Sequence, residues 1–275
     1  MSSAATITGR TPRSRWAFAG RAKHVNVLGV GTTVGVLLVW QALASAGAIH
    51  FSYLPAPFGI IKGIGSIASS GELWSSLYHT VWIALAAWAA SAVIGVVLGF
   101  VIASSPVIYR YTMASVELLR ALPAITFVPI AVLAFGFSAK TEIVIAIYVA
   151  QWPVLINTIG GVRGVAPRLL DVGRTLRLGP VERTAKLTLP AALPTILVGL
   201  RLSLSLSLVL VIVAEMVGNP TGIGYQIVFQ EQALQPEKMY AYVIIVGLLG
   251  VLLNAVFDIC AKRFPAGTAN PKAAA

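Results

Sequence analysis

Residues 193–217 read LPTILVGLRLSLSLSLVLVIVAEMV, a run in which Arg201 and Glu215 are the only charged side chains. A helix needs about 20 mostly apolar residues to cross the hydrocarbon layer of a bilayer, and this run is long enough. Its alternating serines do not indicate a strand, because Ser203 and Ser207 are spaced to share one face of a helix. The run therefore predicts a membrane-spanning α-helix.

Five other apolar runs resemble this one, and the composition agrees with a membrane protein. They cover residues 25–49, 80–103, 113–135, 143–162 and 240–260. Hydrophobic residues make up 57% of the 275 positions and charged residues 11%, which lies outside the range of ordinary soluble domains. The sequence therefore predicts an all-α fold, a polytopic membrane bundle of about six transmembrane helices.

Prolines interrupt two of the six runs. Pro123 and Pro129 fall within the third run, and Pro153 falls within the fourth. Proline leaves a helix carbonyl without its donor, which a bilayer tolerates only where neighbouring helices, side chains or water supply another. We expect these two helices to be kinked and to lie inside the bundle.

The basic residues are distributed unevenly between the loops. With a cytoplasmic N-terminus, nearly all of the 20 lysines and arginines lie on the cytoplasmic side, as the preference for positive charge there requires. The exceptions are Lys62, Lys140 and Lys238, while Arg110 and Arg120 count with the cytoplasmic set. This placement explains the net charge of +11 without a nucleic-acid partner. It predicts a multi-pass protein of the bacterial plasma (inner) membrane with both termini cytoplasmic.

Three regions follow one another along the chain. Residues 1–24, rich in serine, threonine, alanine and arginine, are predicted to form a disordered basic cytoplasmic tail, and residues 263–275 a second one. Residues 25–262 are predicted to form a single transmembrane domain. Its first run is too long for the core of a signal peptide, so we interpret it as a retained anchor.

The segment of residues 51–77 has a helical pattern of its own. It begins with Pro55 and Pro57 and continues with isoleucines at helical spacing. These are Ile60, Ile61, Ile64 and Ile67. The pattern predicts an amphipathic helix that lies on the outer membrane surface or caps the bundle.

Residues 163–192, here named the basic segment, are too polar to cross a membrane. Gly179 and Pro180 give a turn signal in the middle of the segment. Pro190 and Pro194 frame the start of the fifth span. We predict two short cytoplasmic helices.

Part of the basic segment, residues 171–190, reads DVGRTLRLGPVERTAKLTLP. It resembles the EAA loop of binding-protein-dependent ABC importer permeases, a pattern with an acidic residue, two small residues, a later glycine and a Leu-Pro ending. The matching positions are Asp171, Val172, Gly173, Leu189 and Pro190. The resemblance implies that these residues couple the permease to an ATPase.

One position departs from that pattern. Arg177 stands where the motif has its glycine, and Gly179 is expected to supply the turn instead. The bulky cation at Arg177 leads to the hypothesis that it contacts the ATPase directly. Asp171 is expected at the start of a short helix, where a carboxylate is favoured by the helix dipole.

Four other stretches are similar to permeases of the nitrate, sulfonate and taurine class. They are LPAPFGII at 54–61, LLRALPAITFVPIAVLAFG at 118–136, LPTILVGLRLSL at 193–204 and AEMVGNPTGIGYQI at 214–227. The resemblance implies the type I ABC importer permease (MetI-like) fold and a translocation path for a sulfonate, taurine, nitrate or related anion. The partners it implies are a second permease copy in a homodimer, two copies of an ABC ATPase and an external solute-binding protein.

No catalytic residue or cofactor is expected in the chain itself. It lacks a G-x-x-x-x-G-K-[ST] loop, so ATP and Mg²⁺ are expected on the partner ATPase, and the chain is not expected to be an enzyme. His24, His50 and His79 lie far apart, with no carboxylate or cysteine at ligand spacing. We therefore expect no metal site.

Five polar side chains are candidates for the translocation path. They are Gln151, Asn157, Ser203, Ser207 and Glu215. Polar groups inside a membrane often face water, but they also hold helices together, and packing is the alternative for the serines. For Glu215 the alternative is a plain glutamate at the membrane interface.

Two rival functions remain. One is an ion-gradient-driven secondary transporter that acts without an ATPase, and the other is a membrane scaffold without transport. Secondary transporters commonly contain inverted repeats, paired broken helices and buried charges near the membrane midplane, which are not evident in this sequence. The resemblance of the basic segment to a coupling loop argues against both rivals.

Overall fold

The computed structural model describes residues 27–47 and 53–263, and every regular element in these ranges is a helix. This confirms the all-α prediction. The chain divides into two compact units, Met1–His50 and Phe51–Ala275. The first unit contains α1 (Val27–Ser45), which covers the described part of the first predicted span.

The second unit contains the remaining helices. In chain order they are α2 (Pro57–Ser69), α3 (Glu72–Ser104), α4 (Pro106–Ala121), α5 (Val128–Phe135), α6 (Ala139–Arg163), α7 (Pro167–Thr175), α8 (Pro180–Arg183), α9 (Leu189–Gly218), α10 (Ile223–Gln232) and α11 (Pro236–Ala261). Of these, α3, α6, α9 and α11 are long and apolar enough to cross a bilayer, which confirms four predicted spans. α6 continues as one helix through Pro153. The predicted tails lie outside the described residues, except for position 263.

The third predicted span is not one helix. α4 ends before Leu122, which is extended with ψ at 127°, and a 3-10 turn (Ala124–Phe127) after Pro123 leads into α5. The second half of the span runs at 80° to the first. Proline cannot continue the helix and pushes the residue before it out of the helical conformation. Tyr148 of α6 donates its hydroxyl hydrogen to the carbonyl of Leu119 at 2.6 Å, which satisfies a carbonyl at the broken end.

The basic segment forms the two predicted short helices, α7 and α8, but the second is continuous with the fifth span. A single π-helical turn (Thr184–Thr188) joins α8 to α9. Pro190 lies in the first turn of α9, and Pro194 is accommodated inside that helix. Pro190 therefore lies at the start of α9, as expected, whereas Pro194 lies inside the helix, and the helical backbone continues back to Pro180.

α3, α6 and α9 form the centre of the second unit. The G-x-x-x-G spacing of Gly95 and Gly99 predicts a close helix contact, and both glycines lie against α6. A Cβ atom added at Gly95 would lie 2.6 Å from the Cβ of Val154, and one at Gly99 would lie 2.6 Å from the Cβ of Thr158. Gly199 of α9 is packed as closely against α6. Any larger residue at these positions would push the helices apart.

α2 is the amphipathic helix that the isoleucine spacing predicts. Ile60 and Ile67 are buried, whereas Ile61 is exposed. Gly63, on the buried face, lies against the start of α11, and a Cβ added there would be 2.6 Å from the carbonyl oxygen of Glu237. α2 therefore covers the first turn of α11.

Gly95→Ala is expected to lower the thermal unfolding midpoint of the detergent-solubilised protein, because α3 and α6 must separate to admit the methyl group. Overpacking of this kind costs roughly 1–3 kcal/mol. Gly160→Ala in α6 is the matched control, since nothing lies within 4 Å of a Cβ at that position and alanine favours a helix. Equal midpoints for the two variants would contradict the close α3–α6 contact.

Candidate functional site

The basic segment exposes large apolar side chains among its charges. Val172 of α7 and Leu176, the residue after α7, are exposed, and Val181 of α8 is 79% exposed. Apolar groups that stay in water within a charged surface often mark the place where a partner protein binds. The surface of α7 and α8 therefore has the composition of a docking site.

Asp171 lies on the same surface but not at the helix start. α7 begins at Pro167, which places Asp171 in the second turn, so the predicted capping position is wrong. Its Oδ1 pairs with Nη1 of Arg174 at 2.8 Å. Such an exposed pair contributes little to the stability of the fold, and Asp171 remains accessible to a partner.

Gly173 brings the two halves of the basic segment together. It is buried, and an added Cβ would lie 2.7 Å from Cδ1 of Leu187 and 3.2 Å from Cγ of Arg183. Leu187 belongs to the π-helical turn that leads into α9. The small residue of the motif is therefore needed for close packing of α7 on the start of the long helix.

The turn that ends α7 is made by Arg177, not by Gly179. Arg177 has a left-handed backbone with φ at +54°, and the N–H of Leu178 donates to the carbonyl of Gly173 at 3.0 Å. This is the geometry of a helix C-terminus that normally uses glycine, which explains the glycine of the motif. Gly179 is extended, with φ at −62° and ψ at 163°, and precedes α8. The predicted turn at Gly179 is wrong.

Leu189 and Pro190, the end of the motif, are the first residues of α9, and both are exposed. Because the backbone is helical from Pro180 onward, α8 and α9 form one continuous element. A force applied to α8 therefore reaches α9 directly.

A group of polar side chains, most of them buried and here named the polar cluster, lies at the opposite end of the bundle. It consists of His79, Thr80, Glu142, Glu215, Asn219 and Thr221. Glu215 accepts hydrogen bonds from the Thr80 hydroxyl at 2.7 Å and from the N–H of Gly224 at 2.8 Å. The Thr80 hydroxyl accepts from the N–H of Ile223 at 3.0 Å. These bonds tie the start of α10 to α3 and α9.

Glu142 is the second buried carboxylate of the polar cluster. Its Oε2 lies 3.1 Å from Nε2 of His79, and its Oε1 accepts from Nδ2 of Asn219. Nε2 of His79 also lies 3.3 Å from the hydroxyl of Thr221. Ligand atoms of His79, Glu142 and Glu215 lie within 4.8 Å of one another, a spacing that could hold a metal ion. Each carboxylate oxygen already has a protein partner, so the polar cluster is better suited to hold the loop before α10 in place than to bind a metal ion.

Sequence spacing does not predict the polar cluster. His79 and Glu142 are 63 positions apart, and Thr80 and Glu215 are 135 positions apart. His79 has no carboxylate at ligand spacing in the sequence, and only the fold brings Glu142 and Glu215 to it. The available signal was the pair of glutamates at the ends of two apolar runs, where an ionisable side chain needs a partner.

The candidate path residues have different surroundings. Ser203 and Ser207 are fully buried, and the Ser207 hydroxyl bonds to the carbonyl of Ala84 on α3 at 3.1 Å, which favours helix packing. Gln151 is half-buried, and its amide nitrogen lies 3.4 Å from the Tyr148 carbonyl oxygen. Glu215 is buried in the polar cluster rather than at an interface.

Asn157 lines a pocket of about 590 Å³ between α4, α6 and α9. Glu117, Arg120 and Trp152 line the same pocket and were not among the candidate path residues. Arg120 lies beside the middle of α6, because the neighbouring Leu119 is bonded to a residue there. α4 carries Arg120 away from the basic segment, and its expected position at or near the cytoplasmic side stays a prediction.

Spanning helices, a docking surface continuous with one of them and a pocket in the bundle together define a transport permease. Residues 91–268 match the family described as binding-protein-dependent transport system inner membrane component, and the chain belongs to this family. It is a permease of the binding-protein-dependent ABC importer class, of the nitrate and sulfonate type, as the resemblance implied.

Named relatives and a solved structure agree with this assignment. The aliphatic sulfonates transport permease protein SsuC of Bacillus subtilis is 32% identical, over 89% of this chain and 88% of that protein. The bicarbonate transport system permease protein CmpB of Synechococcus elongatus is 29% identical, over 80% and 83%. An inward-facing MetNI methionine ABC transporter structure covers 69% of this chain and 96% of its own, with a TM-score of 0.60 and 17% identity. The last comparison confirms the MetI-like fold.

Gly222→Ala is expected to disrupt the polar cluster, because a Cβ there would overlap the Glu215 carboxylate and the backbone has φ at +94°. Gly71→Ala is the matched control, with φ at +77° but open space around the added atom. We expect both variants to lose about 1 kcal/mol to left-handed strain. Gly222→Ala should lose roughly 1–3 kcal/mol more to overpacking. Thermal unfolding midpoints measure the difference, and identical midpoints would contradict it.

Proposed function

We propose that this chain forms the membrane pathway of an ATP-driven importer, working as a homodimer on two copies of a separate ABC ATPase. An external binding protein delivers the solute. The observation that carries the proposal is the basic segment, which exposes apolar side chains and continues directly into α9. ATP and Mg²⁺ are then bound by the ATPase, and the permease itself is not an enzyme.

We further propose that the basic segment and both termini are cytoplasmic. The cations of the basic segment are Arg163, Arg168, Arg174, Arg177, Arg183 and Lys186. Membrane proteins retain such clusters on the cytoplasmic side. This orientation presents α7 and α8 to a soluble ATPase and turns the polar cluster, α2 and α10 toward the binding protein.

The proposed solute is a small oxyanion, with a sulfonate as the first choice over nitrate, taurine or bicarbonate. The names of the relatives refer to aliphatic sulfonates and bicarbonate, and that of a Leptolyngbya laminosa relative, 31% identical over 63% of this chain and 62% of its own length, refers to nitrate import. These anions differ in size but share a charged group with several oxygens. Recognition of that group is the common requirement on the pathway.

Movement of the ATPase would reach the pathway through α9. The indole N–H of Trp88 donates to the carbonyl of Leu200 at 2.9 Å, and the Ser207 hydroxyl donates to the carbonyl of Ala84 at 3.1 Å. These bonds join α3 to α9, so both helices follow a displacement of α8. Opposite movements in two copies would open the pathway to one side of the membrane and then to the other.

Mass spectrometry of proteins that copurify with the tagged chain, gently extracted from its membrane, tests the proposal. Recovery of an ABC ATPase at equal stoichiometry is the expected result. Repeated recovery of the chain alone, with solute movement in ATP-free vesicles, would favour a secondary transporter driven by an ion gradient.

Asp171→Lys is expected to weaken ATPase association by about tenfold or more, because it reverses a charge in the proposed interface. The fold should be unaffected, since Asp171 is exposed. Glu72→Lys, an exposed charge reversal at the opposite end of the bundle, is the matched control. Quantitative copurification gives the comparison, and unchanged ATPase recovery and transport with Asp171→Lys would refute its role.

Arg177→Gly tests the role of the Arg177 side chain separately from the role of the backbone turn. Glycine suits the left-handed backbone, so the turn is expected to become more stable by about 1 kcal/mol, as hydrogen exchange at the Leu178 amide would report. If the Arg177 side chain contacts the ATPase, substrate-stimulated ATP turnover should fall about fivefold despite the better turn. Arg177→Lys keeps the charge and should retain most of the turnover. Unaltered turnover with glycine would limit Arg177 to the turn.

A further inference from the structure

An ion pair lies inside the bundle at the break of the third span. Glu117 and Arg120 occupy the last turns of α4, and Nε and Nη2 of Arg120 contact Oε2 of Glu117 at 2.6 and 2.5 Å. Leu119, between them, is bonded to Tyr148, close to the middle of α6. Charged residues between membrane-spanning helices are costly, and they normally face water or a partner.

The pair is far from buried within the single chain. The side chains of Arg120 and Glu117 are 47% and 50% exposed, and both line the 590 Å³ pocket with Trp152 and Asn157. Leu202 of α9 forms part of the apolar wall. The pocket therefore combines charge with an open face between α4, α6 and α9.

The pocket has unused hydrogen-bond donors. A guanidinium has five N–H groups, yet the contacts of Arg120 within the described residues fall on one oxygen of Glu117. The indole nitrogen of Trp152 is buried away from the pocket surface and has no acceptor in the described residues, so it is not counted as a donor to a ligand. The amide nitrogen of Asn157 is already bonded to the carbonyl of Pro153 at 2.8 Å. The unused N–H groups of the guanidinium suit a ligand that brings several acceptor oxygens.

We propose that Arg120 is a transient binding site for the oxyanion in transit. The proposal rests on the proposed function and specifies where that pathway recognises its solute. The planar guanidinium can offer paired N–H groups to sulfonate, nitrate or carboxylate oxygens. Recognition of this kind depends on the charged group and leaves the rest of the solute free to vary.

Glu117 makes the site weak, which transport requires. The carboxylate competes with the arriving anion for Arg120, and the amide oxygen of Asn157 is a further acceptor beside it. A transit site must bind well enough to admit the solute and loosely enough to release it. Glu117 also neutralises Arg120 while the pocket is empty, which lowers the cost of the charge in the membrane.

Thiol labelling in membrane vesicles tests the proposal on the full chain. Cys260 is the only cysteine, so Cys260→Ser removes every native thiol, and Asn157→Cys then places one in the pocket. The probes are two methanethiosulfonates of similar size, an anionic ethylsulfonate and a cationic ethyltrimethylammonium. We expect Arg120→Gln to lower the anionic-to-cationic rate ratio by about tenfold and Glu117→Gln to raise it.

Two controls separate this effect from general damage. Arg201→Gln removes an arginine that is likewise paired with a carboxylate, Asp258 at 3.3 Å, but lies in the groove between α9 and α11. It should leave the rate ratio unchanged. Val181→Cys, exposed on α8, verifies that both reagents reach the protein.

Added methanesulfonate tests anion binding itself. It should slow labelling at Asn157→Cys, and this protection should be lost with Arg120→Gln. An unaltered rate ratio in Arg120→Gln would overturn the proposal, as would a pocket thiol that neither reagent modifies while Val181→Cys reacts. Labelling that responds to vesicle lipid but not to methanesulfonate would assign the pocket to lipid headgroups and also overturn it. Because labelling requires no ATPase, these outcomes are distinct from a failure to recover that partner.

Discussion

The close approach of α3 to α6 and α9 is the constraint on which the rest of the structure depends. Lipid is as apolar as the helix surfaces, so burial of apolar area contributes little to helix association. Close backbone contact and complementary shape must hold the helices together instead. Gly95 and Gly99 remove the side chains that would separate α3 from α6, and Gly199 does the same between α9 and α6. With these three helices in contact, the bonds from Trp88 and Ser207 can reach carbonyls on the neighbouring helix. A rigid centre of this kind can transmit a displacement with little deformation.

The two ends of this centre are stabilised in different ways. At the basic end, Gly173 packs α7 against the beginning of the long helix, and the apolar side chains around it remain exposed. At the other end, the polar cluster buries two glutamates and holds the loop before α10 with Thr80 and Asn219. One end is thus open to a partner, while the other is fixed by its own hydrogen bonds.

Much of this fold is predictable from the sequence, and the parts that are not have identifiable physical reasons. Length and hydropathy identify the long spans because a bilayer imposes both. Pro123 indicates a disturbance of the third span, but whether the helix kinks or breaks depends on the donor supplied by Tyr148, which is distant in sequence. Arg177 in place of the motif glycine led to the wrong prediction of a turn at Gly179. The left-handed turn is at position 177 although the residue there is an arginine. The polar cluster joins residues that share no local motif, so only the folded chain shows it.

The charged residues of the bundle fall into two sets that differ in burial and in the number of partners they have within the chain. Glu142 and Glu215 are fully buried, and each carboxylate oxygen has a partner from the chain, so their contacts hold neighbouring elements together. Arg120 is half-exposed, and its recorded contacts use one oxygen of Glu117 only. Satisfied buried polar groups make a structure rigid, whereas unsatisfied donors beside an open pocket attract a ligand. The glutamates therefore act within the fold, whereas the exposed N–H groups of Arg120 are where the proposed pathway would recognise a passing anion.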